Sequence, residues 1–267
     1  MPATASAKSP ESSPISPPST LLTLTELHRA MVEFATLPLA SPLLMKAPKG
    51  DGHSVLVLPG FVAGDTSTDP LRRYLKFLGY DAHGWELGRN LGPLAIGRQG
   101  ERLMERFLEV AKTATGKVSL VGWSLGGVMA RELSKRVPDQ VRQVITLGSP
   151  FTGDPFASKP TKFYQAVTGE TGEDFADRLK ASTVPPPMPS TAIYSKADGV
   201  VAWQNCVEID APTTDNIEVY GSHCGLGVNP SVLFAVADRL AQADGAWAPF
   251  ERKGWRSAVY PLSGRPN

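Results

Sequence analysis

The pentapeptide Gly122-Trp123-Ser124-Leu125-Gly126 sets a serine between two glycines, each two positions away. The G-x-S-x-G spacing suits a sharp turn from a strand into a helix. The residue at the apex of such a turn holds a strained backbone, and neighbours two positions off come too close to carry side chains. The hydroxyl then projects at the start of a helix, where developing negative charge is favoured. The chemistry this suggests is nucleophilic attack by an activated serine, which needs a base within reach at neutral pH. Four histidines could supply it: His28, His53, His83 and His223.

The elements around the serine give the motif its setting. VSLVG before it reads as a buried strand, and Leu125, Val128, Met129, Leu133 and Val137 trace an amphipathic helix after it. A Gly-Ser turn without chemistry is the plainer alternative, and this strand-turn-helix context weighs against it. The alternation continues along the chain. SVLVLPGF, at 54–61, is a near-continuous apolar run, as in a strand buried on both faces. Asp69-Pro70 reads as a cap and first-position proline for a helix carrying Leu71, Tyr74, Leu75 and Leu78 on one stripe. A short strand is expected at 81–87 and a helix from Leu94 to about Thr115. Strands follow in VRQVITLGSP, STAIYSKADGVV and NIEVYGSHCG. The helix NPSVLFAVADRLAQ has Asn229 as cap and Pro230 at its first position.

Strands alternating with helices predict an α/β fold, a mainly parallel central sheet with helices on both faces. In such sheets the chemistry sits at the carboxyl ends of the strands. That rule sorts the histidines. His28 falls in an N-terminal helix, and His53 and His83 stand at the starts of strands. His223 alone follows a strand at its carboxyl end, after the serine.

These residues resemble the α/β-hydrolase superfamily, in particular its bacterial lipase- and esterase-like members, over about residues 54–242. The resemblance implies a Ser–acid–His triad in that chain order. Ser124 would be the nucleophile, and His223, just before the last helix, the general base. The acid would be Asp198, since such hydrolases carry an acidic residue in a Ser-x-x-Asp-x-x-Val loop, here Ser195, Asp198 and Val201. Glu208 and Asp210 are its rivals, and an Asx-turn with Gly199 is the structural alternative. One oxyanion donor would be the backbone N–H of Leu125. The family pattern puts the second at Phe61, with Val62 as the alternative. Pro59-Gly60 stands where the family commonly has His-Gly. The implied activity is cleavage of carboxylic esters through an acyl-serine intermediate, with no cofactor or metal. The same triad would serve a thioesterase, lactonase, amidase or acyltransferase. A hydrolase fold kept only for binding should have lost triad members, and all three are present here.

The rest of the sequence bounds this reading. The 267 residues suit one α/β domain with a modest insertion, and 42% hydrophobic with 20% charged residues is ordinary for a globular chain. A net charge of +1 gives no field to attract nucleic acid. No apolar stretch is long enough to be a transmembrane segment, and no signal-peptide pattern opens the chain, so a cytoplasmic location is expected. Residues 1–20, rich in Pro, Ser, Thr and Ala, read as a disordered tail. Residues 21–50 read as a helix and linker, with Leu24, Leu27, Met31 and Phe34 at helical spacing. The α/β-hydrolase domain would run over 51–267.

Between 151 and 189 the alternation stops while aromatics accumulate (Phe151, Phe156, Phe163, Tyr164, Phe175), which reads as a small helical cap over the active edge. Its aromatics point to apolar esters, lipids or water-insoluble polyesters as substrates. Trp123, Phe151 and Trp203 are candidates to line the acyl pocket, as are Arg89 and Asn90. Core packing is the plainer reading for the aromatics and a solvated turn for Arg89. Cys206 and Cys224 either form a disulfide between the acid and histidine loops or remain two reduced thiols.

Overall fold

The computed structural model describes residues 15–153, 161–169 and 181–263. Six short runs form the sheet: β1 Ser54–Leu58, β2 Asp81–Gly84, β3 Val118–Trp123, β4 Val141–Leu147, β5 Ser190–Tyr194 and β6 Thr214–Glu218. Their order is β2-β1-β3-β4-β5-β6, and every neighbouring pair is parallel. The sheet is therefore open and wholly parallel, and its strands end along one common edge.

Alternate residues of each strand feed two cores. Val55 and Val57 of β1 join Val121, Ile145, Ile193 and Ile217 on one face. That face is covered by α3 Asp65–Leu78 and α8 Pro230–Leu240. Leu56 and Leu58 join Leu120 and Val144 on the other, beneath α4 Pro93–Ile96, α5 Glu101–Thr113 and α6 Leu125–Arg136. Strands buried on both faces read as continuous apolar runs because no position faces water.

Several boundaries differ from the sequence reading. The helix expected to start at Asp69-Pro70 begins at Asp65 instead and carries Pro70 inside it. The Asp65 carboxylate accepts the backbone N–H groups of Trp85 and Glu86, each at 3.0 Å, which fixes the helix start against the end of β2. The single helix expected from Leu94 is broken into α4 and α5. Gly97 and Gly100 between them hold φ of 88° and 76°, a region glycine enters without steric cost. β6 begins at Thr214, two residues before the expected strand.

At the N-terminal side, α1 Thr20–Leu24 leads into α2 Glu26–Leu44. The stripe at Leu24, Leu27, Met31 and Phe34 faces solvent, with exposures from 57% to 79%. The opposite, polar side of α2 faces the protein, while Leu37, Ala40 and Leu44 pack into the core further along. The expected cap falls only partly within the described residues. α7 Thr161–Thr168 is described, whereas Phe156 and Phe175 lie outside. The expected tail is described only from residue 15 onward. A last helical turn, α9 Arg256–Val259, lies near the C-terminus.

Candidate active site

Ser124 is the hinge residue between β3 and α6, with φ 53° and ψ −122°. A non-glycine residue is rarely found in this conformation, and the surroundings enforce it. Its N–H donates to the Leu147 carbonyl at 2.8 Å, pinning the turn to β4. A Cβ on Gly122 would lie 2.4 Å from the Gly126 carbonyl oxygen, and one on Gly126 would lie 2.5 Å from the Leu58 carbonyl oxygen. Both positions thus require glycine, for the reason the spacing suggested. Ser124 is half-buried, and its hydroxyl makes no hydrogen bond to any described residue.

Asp198 follows β5 and His223 follows β6, on the same edge of the sheet as Ser124. The His223 Nδ1 and Asp198 Oδ2 atoms are 2.5 Å apart, with both side chains buried. The other oxygen, Oδ1, accepts the N–H groups of Val200 and Val201 at 2.8 and 2.7 Å. The loop turn weighed as an alternative therefore exists, and it orients the carboxylate while Oδ2 stays on the imidazole. Ser195 completes the loop, its hydroxyl donating to the Gly221 carbonyl at 2.7 Å. Burial opposes protonation of His223, but the charge and hydrogen bond of Asp198, with Glu26 behind, outweigh it and raise its pKa.

Glu208 and Asp210 are placed elsewhere. Glu208 is buried in an ion pair with Arg131 and accepts the Ser190 hydroxyl at 2.6 Å, and Asp210 is exposed. Cys206 and Cys224 are both free, the first buried and the second half-buried. Burial, reinforced by Glu26, pushes the Cys224 thiol up to about 12.

On the oxyanion side, Leu125 is the first residue of α6, where backbone N–H groups have no intrahelical acceptor. The β1 loop comes alongside: a Cβ on Gly60 would sit 3.3 Å from the Ser124 Cβ. The alternative donor Val62 is already committed, since its N–H donates to the Asn90 carbonyl at 2.7 Å. Asn90 is fully buried and braces the whole loop. Its Nδ2 donates to the Pro59 carbonyl at 2.8 Å and its own N–H to the Ala63 carbonyl at 2.8 Å. Asn90 thus supports the loop from behind, while Arg89 is exposed.

The aromatic candidates have different fates. Trp123 is half-buried and its Nε1 donates to the His223 carbonyl at 3.1 Å, so it ties the elbow to the histidine loop. Phe151 is fully buried against Val128 and Ala192 with the Arg131 guanidinium 3.8 Å over its ring, a core position that leaves no face for an acyl chain. Trp203 stacks on Tyr194, ring centroids 5.7 Å apart, beneath the acid loop. From α7, Tyr164 packs on Phe61 at 5.1 Å, which sets the described part of the insertion over the β1 loop.

Sequence reasoning missed the contribution of α2. Glu26 Oε1 accepts the N–H of Gly199 at 2.7 Å and of His223 at 3.2 Å, and Oε2 accepts the N–H of Cys224 at 2.9 Å. Glu33 accepts the Ser222 N–H at 2.7 Å, and Arg29 donates to the Ala197 carbonyl at 2.7 Å. The only signal in the sequence was the run of polar residues on the face opposite Leu24, Leu27, Met31 and Phe34.

The amino edge of the sheet carries a similar set of residue types. His53 lies with Nδ1 2.5 Å from Asp51 Oδ1 and Nε2 2.9 Å from Ser119 Oγ, and Arg142 donates to Asp51 Oδ2 at 2.8 Å. Ser119 is a fully buried strand residue, with no elbow to present its hydroxyl to a substrate. Among the described residues no group of three His, Cys, Asp or Glu could hold a metal ion, and no helix is long and apolar enough to cross a membrane.

Comparison with known proteins agrees with this architecture. A family model described as the PGAP1-like alpha/beta domain matches residues 101–202, from α5 through the Asp198 loop. No curated protein matches the chain in sequence. Among solved structures, the chain is similar to alpha/beta hydrolase domain-containing protein 10 from mouse. Identity is 19% and TM-score 0.52, over 73% of this chain and 92% of that one. It is also similar to a structure reported with LipS and LipT, two metagenome-derived lipolytic enzymes, at 13% identity and TM-score 0.55, over 72% and 93%. A pyrethroid hydrolase from Sphingobium faniae JZ-2 gives 20% and 0.53, over 73% and 99%. At these identities the likeness speaks to the fold alone, which is α/β-hydrolase-like.

Proposed function

We propose that this chain is a serine hydrolase that cleaves carboxylic esters through an acyl-serine intermediate. The observation that carries the reading is the buried His223–Asp198 pair at 2.5 Å, whose backbone is tied through Trp123 to the strained Ser124 elbow. In the forward step His223 takes the Ser124 proton as the oxygen attacks the ester carbonyl. Asp198 holds the proton-bearing Nδ1 and stabilises the imidazolium. The backbone N–H groups of Leu125 and Phe61 receive the negative oxygen of the tetrahedral intermediate. His223 then protonates the leaving alcohol, and the same histidine activates the water that releases the acid. The names of the solved relatives, a pyrethroid hydrolase and lipolytic enzymes, support an ester substrate with an apolar part. The Phe61 and Tyr164 rings, packed on each other at the β1 loop, lean the same way.

The test is a series of p-nitrophenyl esters of increasing acyl length, run beside Ser124→Ala and a fluorophosphonate probe. Turnover and labelling that both vanish in the variant are expected. Ester turnover that survives Ser124→Ala would reject the mechanism.

A further inference from the structure

The carboxylate of Glu26 is 4% exposed and lies at the junction of the two loops that carry the acid and the base. It comes from neither loop. It stands at the start of α2, nearly two hundred positions from His223 in sequence. Oε1 accepts Gly199 N–H, next to Asp198, and also His223 N–H itself. Oε2 accepts Cys224 N–H, and Arg29 Nη2 donates to Oε1 at 2.7 Å. Four donors around one buried carboxylate hold it in a single place and orientation. Around it, Thr23 donates to the Gly199 carbonyl at 2.5 Å and Arg29 to the Ala197 carbonyl, so the acid loop is held on both sides of Asp198.

We propose that Glu26 is a positioning residue of the active site, which fixes the Asp198 loop against the His223 loop and supplies a second negative charge behind the imidazole. The proposal rests on the reading of His223 as general base and adds a component from outside the triad. The charged groups acting on His223 are Asp198 from the β5 loop and Glu26 from α2, while Arg29 and Glu33 of the same helix bond the neighbouring Ala197 carbonyl and Ser222 N–H. Ser124 and the Trp123 ring come from the elbow, and Cys224 lies beside it on its own loop. Of the α2 groups, Glu26 is the one that bonds the backbone of both loops. The two carboxylates nearest the ring, Asp198 and Glu26, both favour its charged form, in line with the raised pKa of His223. Replacing Glu26 by Gln removes one of these charges and leaves Arg29 without its ion-pair partner. Both changes disfavour the imidazolium, so the protonation midpoint of His223 must fall.

The experiment uses the full chain with Glu26→Gln and, as a second variant, Glu26→Asp, which keeps the charge but draws it back by one methylene. The His223 ring is titrated by NMR, its signal assigned by loss in His223→Ala. Steady-state kinetics are measured in parallel on the best p-nitrophenyl ester. For Glu26→Gln the midpoint and the acid limb of kcat/KM should move down together by about one pH unit. kcat should fall about tenfold with KM little changed. Glu26→Asp should keep the midpoint and lose kcat. A merely structural Glu26 would lower the melting temperature of both variants and move neither midpoint nor kcat, and that result overturns the proposal. If Glu26→Gln does not fold, undiminished kcat in Glu26→Asp overturns it instead. A wild-type chain inert to every ester and to the fluorophosphonate would sink the proposed function, while the NMR midpoint would still decide the role of Glu26.

Discussion

Environment, more than residue type, separates the two His-centred clusters of this protein. Asp198–His223 lies beside a strained turn that carries a half-buried serine and is tied to that turn through Trp123, while Asp51–His53 ends on Ser119, sealed within a strand. His53→Ala should therefore leave kcat/KM unchanged while costing about 1–3 kcal/mol in denaturant unfolding, because it strands buried polar groups. At the Asp198–His223 pair, the raised pKa of His223 sets the direction of the pH profile that the proposed mechanism predicts. The base must be neutral to accept the serine proton, so activity should rise with pH through a midpoint above the ordinary value of about 6.5. Asp198→Asn withdraws the main favourable charge, so the remaining activity should show this limb at lower pH, with kcat reduced by about 10⁴. Cys224 is set against reaction, since its thiol is held at about 12. Iodoacetamide at pH 8 should leave it unmodified in the native protein and alkylate both cysteines once the chain is denatured.

Helix α2 reverses the usual use of an amphipathic element. Its polar side carries Glu26, Arg29 and Glu33 to backbone groups of the Asp198 and His223 loops, which would otherwise be buried without partners. Its apolar stripe is left outside. Leu27, at 71% exposure, contrasts with Leu44 of the same helix, at 6%. Leu27→Ser should accordingly change stability by less than about 0.5 kcal/mol, whereas Leu44→Ala should cost about 2–5 kcal/mol. Matching urea denaturation curves for the two variants would refute this assignment of faces.

Across the whole molecule, an open parallel sheet solves the assembly problem by geometry. Because every strand runs the same way, loops after β1, β3, β5 and β6 meet at one edge, though they are far apart in the chain. Two cores of opposite face hold that edge rigid, and α7 and α2 close on it from outside the alternating pattern. The site is thus built from segments that come together only when the entire domain is folded.

What the sequence determined by itself was the part governed by local chemistry. Buried strands announce themselves as apolar runs, the elbow by two glycines that no side chain could replace, and helix α8 by Asn229, whose side chain accepts the Ser231 and Val232 N–H groups. The place of His223 was legible because strand ends in a parallel sheet are countable, whereas Asp198 was set apart from Glu208 and Asp210 by the family resemblance of its loop. Contacts between distant segments were not. Only the tertiary structure could commit Glu208 to Arg131, take Val62 N–H for Asn90, and turn Phe151 into the core. It alone brought Glu26 to His223. The periodicity of α2 specified a helix with two unlike faces, but which face turns inward depends on what lies there. Here that was a set of unpaired backbone N–H groups rather than an apolar surface.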